Sequence, residues 1–351
     1  MTAEVLSRVE GRTAVLSLNR PGALHALSLN MVQLLTAELL QLAASDAVRC
    51  IMIEHASGRG FCAGGDIRAL LDSVQNDGGA SGRRFFYEEY QLDQLIGSYG
   101  KPVIAFMDGL TMGGGVGISL PAQLRVATEH TRFAMPETGI GLFPDVGGGY
   151  FLSRLPQRMG RFLALTGTQL DGAECVALGL ATHYVPAGAL PQLKAALAHE
   201  AGEPAAIIEA YSAPPPAARV LEHASQIAAA FASDRLEDVL QALARDDSEW
   251  AASVRKQLQR KSPQACKVAL RQLALGEQLE TLADDLRMEY RIAHRVLVRP
   301  DFSEGVRAVI IDKDNAPRWQ PPAPEDVSDA LLDAIFAPLS PDEEWQPLTA
   351  P

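Results

Sequence analysis

Apolar and polar side chains alternate along TAVLSLN (13–19), a two-residue period that predicts a strand, and Arg20-Pro21-Gly22 ends it. Met31, Leu34, Leu35, Leu39 and Leu42 then recur at helical spacing, with Ser28 placed to cap a helix running to about Ala44. VRCIMIEHA (48–56) is nearly continuous in apolar residues, the pattern of a strand covered on both faces. GRGFCAGGDIRALL turns on glycines and becomes helical from Asp66. PVIAFMDG (102–109) is the next apolar strand, TMGGGVGISLPAQ a second glycine turn, and LRVATEH a third strand. One apolar strand per unit, each followed by a turn or helix, predicts an α/β fold with helices packed outside the sheet.

After THYV (182–185) the strand pattern gives out, and helical patterns dominate to about residue 311. The prolines of SAPPPAA (212–218) deny a helix its backbone donors. They divide the chain into a core of residues 1–211 and a helical C-terminal region of 219–351. Beyond Asp314 a proline-rich connector is expected to lead to a short final helix and an open tail. No internal repeat is present.

Composition narrows the function classes. A length of 351 residues with 47% hydrophobic and 21% charged residues is that of a globular enzyme. The net charge of −12 argues against a nucleic-acid partner, so an anionic ligand must be met by a few placed cations and backbone amides. The N-terminus lacks a secretory pattern, and the most apolar stretch, GLTMGGGVGISLP, is far short of the ~18 residues of a membrane span. A cytoplasmic protein without membrane association is expected. The four cysteines are scattered without metal-ligand spacing and read as reduced and buried, with no metal site.

Two glycine-rich turns, each between an apolar strand and a helix, let backbone N–H groups approach a ligand and could together supply two amides to one oxygen, an oxyanion hole. Tight connections serving only packing are the alternative. Neither turn fits a nucleotide-phosphate pattern. In FAMPETGIGLFPDVGGGYFL (133–152), Glu137 and Asp145 each follow a proline in an otherwise apolar segment, as loop-surface carboxylates or as members of a site where burial raises their pKa. GxSxG is absent. His25 reads as a polar loop residue and Cys62 as a small buried thiol.

LNRPGALHALS, GRGFCAGGDI, DGLTMGGGVGISL and FAMPETGIGLFPDVGGGYFL together resemble the enoyl-CoA hydratase/isomerase (crotonase) superfamily, most of all its 3-hydroxyisobutyryl-CoA hydrolase branch. FFYEEYQL (85–92), FLALTGTQLDG (162–172), SPQACKVALRQL (262–273) and MEYRIAHR…DFSEGVRAVIIDKD (288–314) extend the likeness over about residues 12–320. The resemblance implies a spiral of ββα units with an α-helical C-terminal region, and often a trimer or a dimer of trimers. The oligomeric state here stays open.

It also implies that the Gly65 and Gly114 amides grip a thioester oxygen. Of the two catalytic glutamates of hydratases, the second is present as Glu137, whereas the first falls on Gly117, which cannot do acid–base work. The hydrolase branch is similar in having Asp145 and Glu89. The implied reaction is hydrolysis of 3-hydroxyisobutyryl-CoA in valine breakdown, without metal or added cofactor. Glu137 is its nucleophile or general base, Asp145 assists, and Glu89, Gly114, Glu137 and Asp145 bind substrate. Backbone groups of Ala63, Asp66 and Ile67 are implied to contact the adenine of coenzyme A. Arg20, Arg59 and Arg68 flank the turns as ordinary surface arginines or phosphate contacts. The alternatives are hydration or isomerisation of another acyl-CoA, which a Gly117→Glu variant would probe, and a catalytically silent acyl-CoA binder.

Overall fold

A computed structural model describes residues 3–348. Its strands alternate between two sheets. The larger contains β1 (Val5–Glu10), β2 (Thr13–Leu18), β3 (Cys50–His55), β5 (Val103–Met107), β7 (Leu124–Ala127) and β10 (His183–Tyr184), side by side in that order. β1 and β2 form an antiparallel hairpin and the remaining pairs are parallel. The smaller contains β4 (Gly60–Cys62), β6 (Leu110–Met112), β8 (Arg132–Ala134) and β9 (Leu170–Asp171). Each long strand from β3 onward hands the chain to a short one: β3 to β4, β5 to β6, β7 to β8. This is the expected mixed α/β architecture, with helices dominating after β10.

All six residues of β2 are buried, including the polar Thr13 and Ser17. One face packs on helix α1 (Leu29–Ala43), which Ser28 caps by accepting from the Met31 amide. On the other face Val15, Met52, Ile104 and Phe106 meet Leu193, Leu197 and Ile208 of two later helices. Thr13 Oγ1 donates to the Leu197 carbonyl at 2.8 Å and Ser17 Oγ to Glu54 at 2.9 Å, so the alternating polar positions are satisfied inside.

Helices α2 (Ile67–Asp77) and α3 (Ala80–Gly97) follow β4, and α4 (Gly114–Gly117) follows β6. Residues 212–218 carry no helix or strand, yet one apolar cluster runs across them, from Val5 to Trp345. The tail differs from the expected open one. After the Asp329–Phe336 helix, Trp345 is fully buried and its indole Nε1 donates to the Tyr87 carbonyl of α3 at 3.1 Å. Glu344 pairs with Arg291 at 2.9 Å beside it. A lone indole in a polar, proline-rich stretch has no period to announce it, but its large apolar area drives it to any groove that can also accept its N–H.

Candidate active site

The segment after β2 is laced to the turn after β4: Ala63 N–H donates to Leu24 O (3.0 Å), Leu27 N–H to Gly64 O (2.8 Å) and Asp66 N–H to Leu27 O (2.9 Å). Gly64, at φ +112°, breaks the alternation after Ala63; with the Asp66 amide facing Leu27, the Gly65 amide before it points the other way. There it meets the second glycine turn: a Cβ placed on Gly114 would lie 3.3 Å from the Gly65 nitrogen. Gly64 (φ +112°) and Gly113 (φ +46°) hold conformations that side chains resist, which lets the two turns meet backbone to backbone. Among the described residues neither the Gly65 nor the Gly114 amide has an acceptor. A Cβ on Gly115 would strike the Cys62 backbone, and Cys62 is fully buried with its thiol pushed up to about 12 by burial, an inert packing residue.

The two amides border a cavity of about 70 Å³ also lined by Ala63, Ile67, Phe85, Glu89, Glu137 and Asp145. α3 delivers Glu89, the short turn Glu137–Ile140 delivers Glu137, and the loop before the Gly148–Ser153 helix delivers Asp145. All three carboxyls are buried, at 2%, 6% and 7% exposure. Glu89 Oε1 and Glu137 Oε2 have no hydrogen-bond partner. Burial raises both well above the usual carboxylate range; Asp93, Asp145 and Glu137 add to it for Glu89, and Asp145 for Glu137. Burial lifts Asp145 only to about 6, because the Tyr90 hydroxyl donates to its Oδ2 at 2.8 Å.

Sequence reading missed two residues of α3 here, Tyr90 and Asp93. Asp93 is fully buried, neither of its oxygens has a partner, and burial followed by Asp145 pushes its pKa well up. Its Oδ2 lies 2.7 Å from where a Cβ on Gly117 would sit, and the Val146 Cβ also lies 2.7 Å from that point. The position without a side chain is therefore filled by a carboxyl from another helix, and Gly117→Glu has no room. Glu89, Tyr90 and Asp93 share one helix face, a spacing that becomes a signal only once α3 is seen to turn that face inward.

Of the remaining expected residues, Ala63 and Ile67 line the cavity, with the amides of Ala63 and Asp66 engaged by Leu24 and Leu27; the Asp66 side chain caps α2 and pairs with Arg20 at 2.9 Å. Arg20 also pairs with Glu4 at 3.2 Å, whereas Arg59 and Arg68 are exposed. His25 is buried, its ring between the Arg20 amide (3.1 Å) and the Ser57 carbonyl (2.7 Å). Among the described residues no cluster of His, Cys, Asp or Glu is arranged to hold a metal ion, and no helix is long and apolar enough to cross a membrane.

Two unpartnered amides can polarise a carbonyl and a carboxylate in the same cavity can attack it, and known proteins share this framework. A family model described as enoyl-CoA hydratase/isomerase matches residues 13–336. The chain is 43% identical over 346 residues to a Gallus gallus protein named 3-hydroxyisobutyryl-CoA hydrolase, mitochondrial, covering 96% of this chain and 89% of that one. A Homo sapiens protein of the same name is 41% identical over 345 residues, with coverage of 96% and 89%. Among solved structures it is similar to one titled carnitinyl-CoA dehydratase from Mycobacterium thermoresistibile (38% identity, TM-score 0.93, coverage 98% and 99%). Another, titled enoyl-CoA hydratase from Rhodobacter sphaeroides, gives 35% identity, a TM-score of 0.90 and coverage of 98% and 99%. The chain belongs to the enoyl-CoA hydratase/isomerase family.

Proposed function

We propose that this protein hydrolyses the thioester of 3-hydroxyisobutyryl-CoA to 3-hydroxyisobutyrate and free coenzyme A, a step of valine breakdown. The observation that carries the reading is a cavity lined together by Gly65 and Gly114, whose amides have no acceptor, and by Glu137 and Asp145, while position 117 offers no carboxyl for chemistry at C2–C3. Relatives of that name, 41–43% identical over nearly the whole chain, agree with it. So does the cavity's volume of about 70 Å³, well under the ~300 Å³ at which ordinary ligand pockets begin, which favours a short acyl group.

The thioester oxygen accepts from both glycine amides, which hold the negative charge of the tetrahedral intermediate; losing one such donor costs about 3–4 kcal/mol in barrier height. Glu137 acts in its ionised form, either attacking the carbonyl carbon to give a mixed anhydride or taking a proton from an attacking water. Its buried, unpartnered Oε2 makes that carboxylate a stronger base than a solvated one. The C–S bond then breaks. In the general-base route the thiolate takes the proton that Glu137 removed from the attacking water. In the anhydride route it takes a proton from water, after which hydroxide or a second water cleaves the anhydride to the free acid and restores Glu137. Glu89, which burial keeps protonated, donates to the oxygen of the substrate's 3-hydroxyl, and that hydroxyl donates its one proton to Asp145. The mechanism uses no metal or cofactor, and a cytoplasmic location is part of the proposal, although the names of the vertebrate relatives carry the mitochondrion.

Free-thiol release from 3-hydroxyisobutyryl-CoA, run beside loss of enoyl absorbance from crotonyl-CoA, tests the reading. Thiol release from the hydroxyacyl substrate alone is expected. The titles of the two solved structures favour a second reading, hydration, and loss of enoyl absorbance without free thiol would establish it instead.

A further inference from the structure

Asp145 sits at the start of a turn the chain does not adopt freely. Val146, β-branched, has φ +55°, and Gly147 follows at φ +88°. The turn is held from outside the strand framework, by two helices of the C-terminal region. On the Leu282–Val296 helix, fully buried Glu289 accepts from the Gly147 amide at 2.8 Å through Oε2 and from the Gly149 amide at 2.9 Å through Oε1. On the Pro263–Gly276 helix, fully buried Gln272 donates through one nitrogen to the carbonyl of Pro144, the residue before Asp145, and to Glu289 Oε1, both at 2.7 Å. Asp285, one turn before Glu289, accepts from the Tyr150 amide at 2.8 Å. The turn is thus gripped on both sides of Asp145 by side chains that the cavity itself does not include.

We infer that Glu289 and Gln272 are positioning residues for thioester cleavage: they hold the strained 144–149 turn so that Asp145 stays against Tyr90 and directed into the cavity. The inference rests on the function proposed above for Asp145. A misplacement of about 1 Å caused by a change away from the reacting atoms can cost about 100-fold in rate. The groups facing Asp145 are Glu89, Tyr90 and Asp93 from α3, Glu137 from its short turn, and Glu289 from the Leu282–Val296 helix.

The variants are Glu289→Gln, which replaces one of the two accepting oxygens with a donor, and Gln272→Met, which keeps length and removes only the two bonds described, since Gln272 Oε1 has no partner. Both are assayed by thiol release from 3-hydroxyisobutyryl-CoA across pH, with melting temperature in parallel. The expected result is a kcat lower by about 10-fold or more together with a raised KM, because Asp145 is no longer held against the 3-hydroxyl. The acid limb of the profile moves to higher pH, because Asp145 loses the Tyr90 bond that lowers its pKa. That shift is absent in a Tyr90→Phe background. A lowered melting temperature with kcat and acid limb unchanged overturns the inference and leaves the clamp a stabilising contact alone. If Glu289→Gln does not fold, Gln272→Met carries the same test. If the wild type releases no thiol, the proposed function fails separately. Carboxyl NMR titration of labelled aspartate, with Asp145→Asn for assignment, then decides the clamp: an Asp145 midpoint raised in the variants supports it, and an unmoved one overturns it.

Discussion

Glu137 has one buried oxygen with no partner, so replacing it with glutamine removes ionisable character at little steric cost. Glu137→Gln is expected to lower kcat by at least about 100-fold, the order assigned to a positioned acid or base, while leaving KM within a few-fold. Steady-state kinetics of thiol release check this. At Gly117 space decides: an added methyl meets the Asp93 carboxyl and the Val146 Cβ at 2.7 Å each. Gly117→Ala is therefore expected to destabilise the fold by ~1–3 kcal/mol, measured by denaturant unfolding, and Asp93→Gly should recover part of the loss in the double variant. Glu137 and Asp145 stood out in the sequence because a charged group amid apolar residues needs a reason to be there. Asp93 did not. In EEYQLDQ it is one polar residue among several, and only the fold turns that helix face inward.

At the scale of elements, legibility followed buried length: β1 is as long as β2, but it is exposed at most positions, shows no apolar run and went unread. β2, β3 and β5 are five or six residues long and buried, enough for an apolar run to show, and α1 carried both its period and its cap. The strands of the smaller sheet have two or three residues each, too few to display a period, and they lie inside what reads as turn. Those short strands set the two glycine turns side by side, so the oxyanion pair was legible as two separate turns and became one site only through β4 and β6. The tail was illegible for a related reason, since its anchor is a single side chain. Trp345→Ala removes a fully buried indole and its bond to Tyr87 and is expected to cost ~3–5 kcal/mol, read as a lower unfolding midpoint.

For the molecule as a whole, the buried acids set how stability depends on pH. Burial raises Asp145 and Asp285 to about 6, and it raises Glu89, Asp93, Glu137 and Glu289 further. A carboxyl whose pKa is higher folded than unfolded binds its proton more tightly when folded. Its contribution is complete below the unfolded value near 4 and is lost as pH rises through the folded value. Glu54 acts in the opposite sense: burial pushes it up, but Lys194, Ser17 and Arg8 bring it below the usual range, so its contribution fails only in stronger acid. The melting temperature is expected to peak on the acid side of neutrality and to fall as pH rises through about 6, where Asp145 and Asp285 titrate in the folded protein. The fall should be shallower in Asp93→Asn, and thermal scans across pH measure both. A peak at pH 8 would show that these acids are ionised at little cost.

The seating of the tail on α3 has a spectroscopic consequence. Of the three tryptophans, Trp250 is half-buried, and Trp345 is the most deeply enclosed, in contact with the helix that carries Glu89, Tyr90 and Asp93. Its emission therefore reports on that helix from within. Any event that lifts the strap moves one indole from an apolar socket into water, so fluorescence shifts to longer wavelength while ellipticity stays unchanged. With Trp250→Phe and Trp319→Phe the remaining signal belongs to Trp345 alone, and the helix that carries Glu89 can be followed in real time without an added label.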